Sequence, residues 1–246
     1  RTSFPITAID GLTFEMTPLS TSHISQTSRQ TRVAALFDVD NTLLPGQASE
    51  VRFFRYLWKR GLVGWREVRD SIGWVLQNAP PVSLHPLRER KLYLAGKPAA
   101  EVRALAEEFC RADLFPRVSR QGLSRMDEHR RAGHHIVMVT GSLDFLIAPL
   151  AALLEVPTLL AASLEQQQHR FTGHVCAPLP YGPGKRELIA QLTRDSGIDL
   201  AHSFAYGDSP GDVELLGMVG HPLVVNPIRG MGRIAQRNGW PTTTWT

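Results

Sequence analysis

The stretch that most constrains this chain is Arg32-Val33-Ala34-Ala35-Leu36-Phe37-Asp38-Val39-Asp40-Asn41-Thr42-Leu43-Leu44. An apolar run of strand-forming length ends in two aspartates, one residue apart. Val33 to Phe37 does not alternate with polar residues, so it reads as a strand buried on both faces. In open α/β sheets, ligands bind beyond the carboxyl ends of the strands, and Asp38 and Asp40 stand at that end. Their side chains point to the same side, because side chains alternate along an extended backbone. Two carboxylates so placed repel unless a cation or a proton lies between them. Hard oxygen ligands suit Mg²⁺, which takes one or two carboxylates plus phosphate oxygens and waters. A carboxylate can also attack phosphorus and split a hard displacement into two easier ones. The bare pattern is explained equally well by acids capping the next turn, so the remainder of the chain must decide.

A chain of 246 residues can hold one large domain, or a core with a lid. Its 43% hydrophobic and 20% charged residues are those of a soluble globular protein. No apolar stretch approaches the roughly 18 residues that span a bilayer, so no membrane partner is expected. Cys110 and Cys176 lie far apart and suggest neither a disulfide framework nor a zinc site. They suit a reducing, cytoplasmic location. The net charge of +4, without a Lys/Arg tract or an aromatic-basic motif, argues against a nucleic-acid partner. Monomer and homodimer both stay open.

Residues 1–30 are dense in Ser and Thr (Ser20-Thr21-Ser22, Ser25, Thr27, Ser28) and read as a flexible or loosely docked leader. They carry no apolar core of a secretory signal, and Asp10 and Glu15 are unusual for a transit peptide. After the first strand, Pro45-Gly46 marks a turn. The period then becomes helical: Val51, Phe54, Tyr56-Leu57-Trp58 and Leu62 predict a helix stopping at Gly61. Trp65 to Leu76, Leu84 to Leu94 and Ala99 to Cys110 predict three more, with Asn78-Ala79-Pro80-Pro81 as a break. A parallel crossover needs one helix, so four predict an inserted helical module acting as a lid. Between Gln47 and Arg120, 14 Lys/Arg face 8 Asp/Glu, a net charge of +6. Most of these are expected to be solvated helix faces, although a positive surface also draws anions.

Three further signals lie downstream. Leu123 to Ala132 predicts a helix, and His135 to Thr140 a second buried strand with Gly141-Ser142 after it. A strand ending in Thr-Gly-Ser offers a hydroxyl and bare N–H groups to an anion, with the next helix opening near Leu143. Pro157 to Leu164 and His169 to Val175 predict a hairpin around Gln166-Gln167-Gln168. Gly182-Pro183-Gly184-Lys185 opens a helix and can set an ammonium on a phosphate, although a lone surface lysine is the plainer alternative. A nucleotide P-loop is excluded, because Arg186 stands where Ser or Thr is required. Ser203 to Tyr206 is a short strand ending in Gly207-Asp208-Ser209-Pro210-Gly211-Asp212. Leu223 to Val225 is a last strand, Arg229 to Asn238 a helix closed by Gly239, and Trp240 to Trp245 an edge segment.

Asp38/Asp40, Thr140, Lys185 and Asp208/Asp212 together supply every part of a metal-assisted phosphoryl transfer. The ordered set resembles the haloacid dehalogenase superfamily. Asp38-Val39-Asp40-Asn41-Thr42 is similar to its first motif, Val139-Thr140-Gly141 to its second, Lys185 to its third and Gly207 to Asp212 to its fourth. The helical insert after the first motif, and Phe171-Thr172-Gly173 before Lys185, resemble the phosphoserine-phosphatase-like branch. The resemblance implies an α/β fold: a doubly wound, mainly parallel, Rossmann-like core over 31–46 and 121–246, with an all-helical cap over 47–120. It implies an Mg²⁺-dependent phosphomonoester hydrolase acting on a small phosphorylated metabolite. Asp38 would be the nucleophile, and Asp40 would protonate the leaving oxygen and then activate water. Thr140 and Gly141 would hold the phosphoryl group and Lys185 would neutralise charge. Asp38, Asp208 and the Asp40 backbone carbonyl would bind Mg²⁺, with Thr42 and Asp212 in support.

One departure narrows the substrate. Phosphoserine phosphatases resembling this chain carry a Glu shortly after the first motif, where this sequence has Gln47, with Glu50 nearby. A neutral amide cannot pair with an ammonium as a carboxylate does, so a phospho-sugar, polyol phosphate, phospho-alcohol or amino-alcohol phosphate is expected before phosphoserine. Arg52, Arg55, Tyr56 and Lys59 are the expected lid contacts. The rivals are a phosphotransferase or mutase, and a binding module that kept the fold without the chemistry. A carbon–halogen hydrolase is disfavoured, because Asp40 is present.

Overall fold

A computed structural model describes residues 31–78 and 89–246. The expected leader lies outside the described residues, as does the first part of the helix expected over Leu84 to Leu94. The strands are β1 (Ala34–Phe37), β2 (His135–Leu143), β3 (Thr158–Ala162), β4 (Leu164–Gln167), β5 (Arg170–Val175), β6 (Phe204–Gly207), β7 (His221–Val225) and β8 (Thr242–Thr243). Six of them form one sheet in the order β3-β2-β1-β6-β7-β8, and every pairing in it is parallel. All four residues of β1 are fully buried. Ala35 and Phe37 belong to the core on one face, Ala34 and Leu36 to the core on the other. This two-sided burial is why the run is apolar without alternation.

Helices cover both faces. In chain order they are α1 (Ser49–Lys59), α2 (Trp65–Asn78), α3 (Ala99–Phe109), α4 (Arg120–Arg131), α5 (Asp144–Leu153), α6 (Pro183–Ser196), α7 (Val213–Leu216) and α8 (Met231–Asn238). Helices α1 to α3 form the insert between β1 and β2. Gly61, at φ +73, turns the chain out of α1, as its position in the sequence suggests. Leu92–Leu94 is a single 3₁₀ turn, not the end of a helix, because the chain there runs alongside β5 with Lys91 N–H bonded to Gly173 O at 2.7 Å. Helix α3 does not stop at Cys110. It continues through a π turn, Cys110–Leu114, and a 3₁₀ turn, Phe115–Arg117.

The hairpin is β4 with β5, antiparallel. The expected strand Pro157 to Leu164 is divided, and Thr158–Ala162 instead extends the main sheet beside β2. The hairpin leaves the core and docks on the insert through bridges Arg90↔His174 and Pro98↔Arg170. Phe171 is fully buried there and stacks on Phe145, with ring centroids 5.0 Å apart. The layer over the sheet edge is therefore helical but completed by a β-hairpin. No helix among the described residues is long and apolar enough to cross a membrane.

Candidate active site

The order of the sheet reverses at β1. The chain steps outward through β2 and β3, then returns to the other side of β1 as β6. Such a switch point opens a crevice at the carboxyl ends of the two strands. Phe37 pairs with Tyr206 across β1 and β6, so the residues next in the chain, Asp38 and Gly207-Asp208, emerge side by side. Asp38, Asp208 and Asp212 are buried, and their carboxylate oxygens lie within 4.8 Å of one another.

Lys185 joins them. It is 2% exposed, which excludes a surface lysine. Its Nζ donates to Asp38 Oδ1 at 2.6 Å, Asp212 Oδ1 at 2.5 Å and Val139 O at 3.3 Å. The turn before it depends on glycine. A Cβ on Gly184 would lie 1.8 Å from Leu179 O, so no other residue lets α6 begin close enough to deliver Lys185. Asp212 is held from its other side. Its Oδ2 accepts from Asp208 N at 3.2 Å, Ser209 N at 3.0 Å and Ser209 Oγ at 3.0 Å. A Cβ on Gly207 would come within 2.6 Å of Asp212 Cβ, which explains the Gly before Asp208.

The electrostatics of the cluster are unbalanced. Burial, then the nearby Asp212, raises Asp38 well above the ordinary carboxylate range, and Lys185 only partly offsets this. Burial also pushes Asp208 up to about 7. Burial acts on Asp212 in the same direction, but Lys185 and the Ser209 hydrogen bonds outweigh it and lower its pKa. Burial opposes the charge of Lys185, yet Asp212 and Asp38 together hold it above the usual lysine range. Of the three clustered carboxylates, Lys185 pairs with Asp38 and Asp212 only, so the buried site holds more acids than cations. A hard divalent cation is the group that this all-oxygen donor set suits.

Asp40 is placed by the insert and by β2. Its Oδ1 accepts from Ser49 N at 2.7 Å and its Oδ2 from Ser142 Oγ at 2.6 Å. Ser49 is the first residue of α1, so the carboxylate also caps a positive helix end. The Ser49 and Ser142 hydroxyls lie 3.0 Å apart. Thr140 is buried, and its Oγ1 accepts Ser142 N–H at 3.1 Å, which leaves its own proton for an acceptor in the crevice. Gly141 lines the same crevice. Thr42 is fully buried, its hydroxyl has no hydrogen-bond partner, and it does not line the crevice.

Asn41 and Ser142 stand inside motifs read from the sequence but without a positioning role there, and Ser49 and Asn226 are not evident from it. Asn41 adopts φ +58, a left-handed conformation that Asn tolerates. Its Nδ2 donates to Asp208 Oδ2 at 2.9 Å and to Asn226 O at 3.0 Å. Asn226 returns a bond to Asn41 O at 2.8 Å and clamps the backbone of Trp245 on both N and O. The Asn226-Pro227 dipeptide is a turn signal, but no local signal announces a partner 185 residues away.

The acids open into a cavity of ≈ 700 Å³. From the insert side it is lined, among the described residues, by Ala48, Glu50, Val51, Phe54, Val68, Arg90, Lys91, Leu92 and Tyr93. The expected contacts Arg52, Arg55, Tyr56 and Lys59 are not among its lining. Residues 50, 51 and 54 share one face of α1 at helical spacing, and the expected four fall on its neighbouring faces. Arg52 pairs with Asp113 at 2.5 Å, Arg55 donates to Gln47 Oε1 at 2.6 Å, and Tyr56 packs on Phe53 and Phe109. Gln47 is also absent from the lining. The insert's basic residues are largely paired, as in Arg60–Glu108, Lys97–Glu67 and Arg117–Asp113, in keeping with charged outer faces.

Fold and site together define a Rossmann-like protein with a buried acid-and-lysine centre at its switch point. The haloacid dehalogenase-like hydrolase family model matches residues 35–217, and the chain belongs to that family. A probable phosphatase of Mycobacterium tuberculosis is 30% identical over 225 residues, which are 89% of this chain and 78% of the relative. The inhibition of morphological differentiation protein of Streptomyces azureus is 31% identical over 216 residues, 85% of this chain and 77% of that one. A crystal structure of a protein with unknown function from Bordetella pertussis Tohama I is similar at a TM-score of 0.74 and 31% identity. It covers 86% of this chain and 98% of its own.

Proposed function

We propose that the protein is an Mg²⁺-dependent phosphomonoester hydrolase that acts on a small phosphorylated metabolite through an aspartyl-phosphate. The observation that carries this reading is the grip of Lys185 on one oxygen of Asp38, which leaves Oδ2 free to attack at a site crowded with acids. The phosphatase relative supports it. Asp38 Oδ2 forms a bond to phosphorus as the ester P–O bond breaks. The departing alkoxide takes a proton from Asp40, whose carboxyl is oriented by Ser49 and Ser142. Asp40, now ionised, takes a proton from water as that water attacks the aspartyl-phosphate. Phosphate leaves, and Asp38 is restored. Thr140 Oγ1 and the Gly141 N–H hold phosphoryl oxygens, and the Lys185 ammonium on Asp38 Oδ1 partly offsets the effect of burial on that carboxylate.

Asp38, Asp208 and the Asp40 carbonyl would hold the cation, with Asp212 in support. When bound, it supplies positive charge to the phosphoryl oxygens and shields Asp38 from them. Residues 47–120 act as a cap over the core of 31–46 and 121–246, excluding water and selecting the substrate. The free thiols of Cys110, buried, and Cys176, exposed, suit a reducing cytoplasm. The test is release of inorganic phosphate from a panel of phosphomonoesters. Activity silenced by EDTA and restored by Mg²⁺ is expected, and full activity in the chelator would refute the cation's role. Transfer of the phosphoryl group to a sugar in preference to water would identify a phosphotransferase instead.

A further inference from the structure

If the protein is a phosphatase, the insert's wall of the cavity bears on what the phosphate is attached to, and the substrate assignment rests on that activity. An amino-acid leaving group is a zwitterion, and the site must offer a carboxylate to its ammonium and a cation to its carboxylate. The insert contributes one carboxylate to the lining, Glu50, and it is occupied. Lys91 Nζ lies 2.8 Å from Glu50 Oε1 and 2.9 Å from Oε2, and Tyr93 OH donates to Oε1 at 3.1 Å. Lys91 is thereby neutralised in turn, and it is 7% exposed. On the core side Arg229 adds a positive charge to the lining, which repels an ammonium and attracts the phosphate dianion.

Between these charges the cavity is apolar on both sides. Val51, Phe54 and Tyr93 face it from the insert, and Leu179, Tyr181 and Ile228 from the core. Phe54 and Tyr93 meet edge to face, with centroids 5.3 Å apart. Val51 is 45% exposed, an apolar surface that a ligand would cover. A volume of ≈ 700 Å³ falls within the roughly 300–1,000 Å³ of pockets that hold drug-sized molecules, well beyond the needs of a three-carbon ester.

We propose that the preferred substrates are phosphate esters of uncharged alcohols with an apolar, ring-bearing body, which lies between the Phe54–Tyr93 pair and the Leu179–Ile228 side. The test compares 2-phenylethyl phosphate, O-phospho-L-serine and glycerol 3-phosphate as substrates of the full chain with Mg²⁺. The value of kcat/KM for the aromatic ester is expected to exceed the other two by about tenfold or more, the scale that apolar pockets achieve. Phe54→Ala is expected to lower the ratio of aromatic to glycerol ester by about tenfold, and Phe54→Leu by less. The ratio is insensitive to a general loss of folded enzyme. Phosphoserine turned over as well as or better than the aromatic ester overturns the proposal and leaves the phosphatase reading standing. A Phe54→Ala ratio equal to that of the unaltered chain also overturns it. No Mg²⁺-dependent release from any of the three overturns both.

Discussion

The two sides of the cavity are built on opposite plans. On the core side, charged groups from β1, β6, the turn after β6 and the start of α6 are buried together and share hydrogen bonds as one network. On the insert side, among the described residues, Glu50, Lys91 and Tyr93 close on one another, and apart from Arg90 the remaining lining is apolar. The contrast teaches a division of labour. A dense charge network tolerates no change of residue, whereas an apolar wall can be reshaped without touching the bonds made and broken.

The severest way to probe that contrast is Asp38→Asn. An amide of equal size is a poor nucleophile, so turnover should fall by more than about a thousandfold while the folded state persists; a variant that keeps its rate would refute the mechanism. Lys185→Met is next. Removing the one cation of a buried cluster costs on the order of 3–5 kcal/mol, measured as a shift in the urea midpoint at neutral pH. An unmoved midpoint would mean that the acids do not depend on the ammonium.

A third probe reaches beneath the site. His129 is buried, with Nε2 2.7 Å from Tyr206 OH and Nδ1 2.8 Å from His134 Nδ1. Burial, with His134 and Arg125 adding to it, lowers its pKa from 6.5 to about 4. The unfolded chain therefore binds this proton first as the pH falls. The stability it confers is whole above about pH 6.5 and is lost on the way down to about pH 4, by roughly 2–3 kcal/mol. His129→Gln should flatten that part of the curve of melting temperature against pH, and an unchanged curve would assign the acid sensitivity elsewhere. The mildest probe belongs to the insert. Lys91→Met should cost about 1–3 kcal/mol in stability, since it strips the part-buried Glu50 of its partner, and alter KM several-fold with kcat held within about twofold. A collapse of kcat would erase the distinction between the two walls.

How far the sequence is legible depends on the same divide. Asp38, Asp40, Thr140, Lys185, Asp208 and Asp212 are legible because each stands at the end of an apolar run or in a glycine turn. The sheet is legible for the same reason. The bonds of Ser142 to Asp40 and of Asn226 to Asn41 are not, because they join residues 102 and 185 positions apart. The hairpin's docking on the insert is likewise a tertiary event with no local signature. Charge is a poor guide to the face of α1 that lines the cavity. The charged residues Arg52 and Arg55 find partners within the insert, and Val51 and Phe54 are left to face the cavity.

The aromatic pile below the acids has a mechanical consequence. Phe37 and Tyr206 precede the two acid-bearing turns and lie nearly flat on one another, 4.5 Å apart at 11°; Trp245 leans on Tyr206 at 5.4 Å. The relative height of Asp38 and Asp208 follows from the parallel register of Phe37 with Tyr206 and the Asp38 N–H bond to Tyr206 O at 2.9 Å, and the rings pack against that pairing. A small aliphatic side chain in place of one ring would leave a void beside the strand ends that carry the two acids, although every acid was still in place.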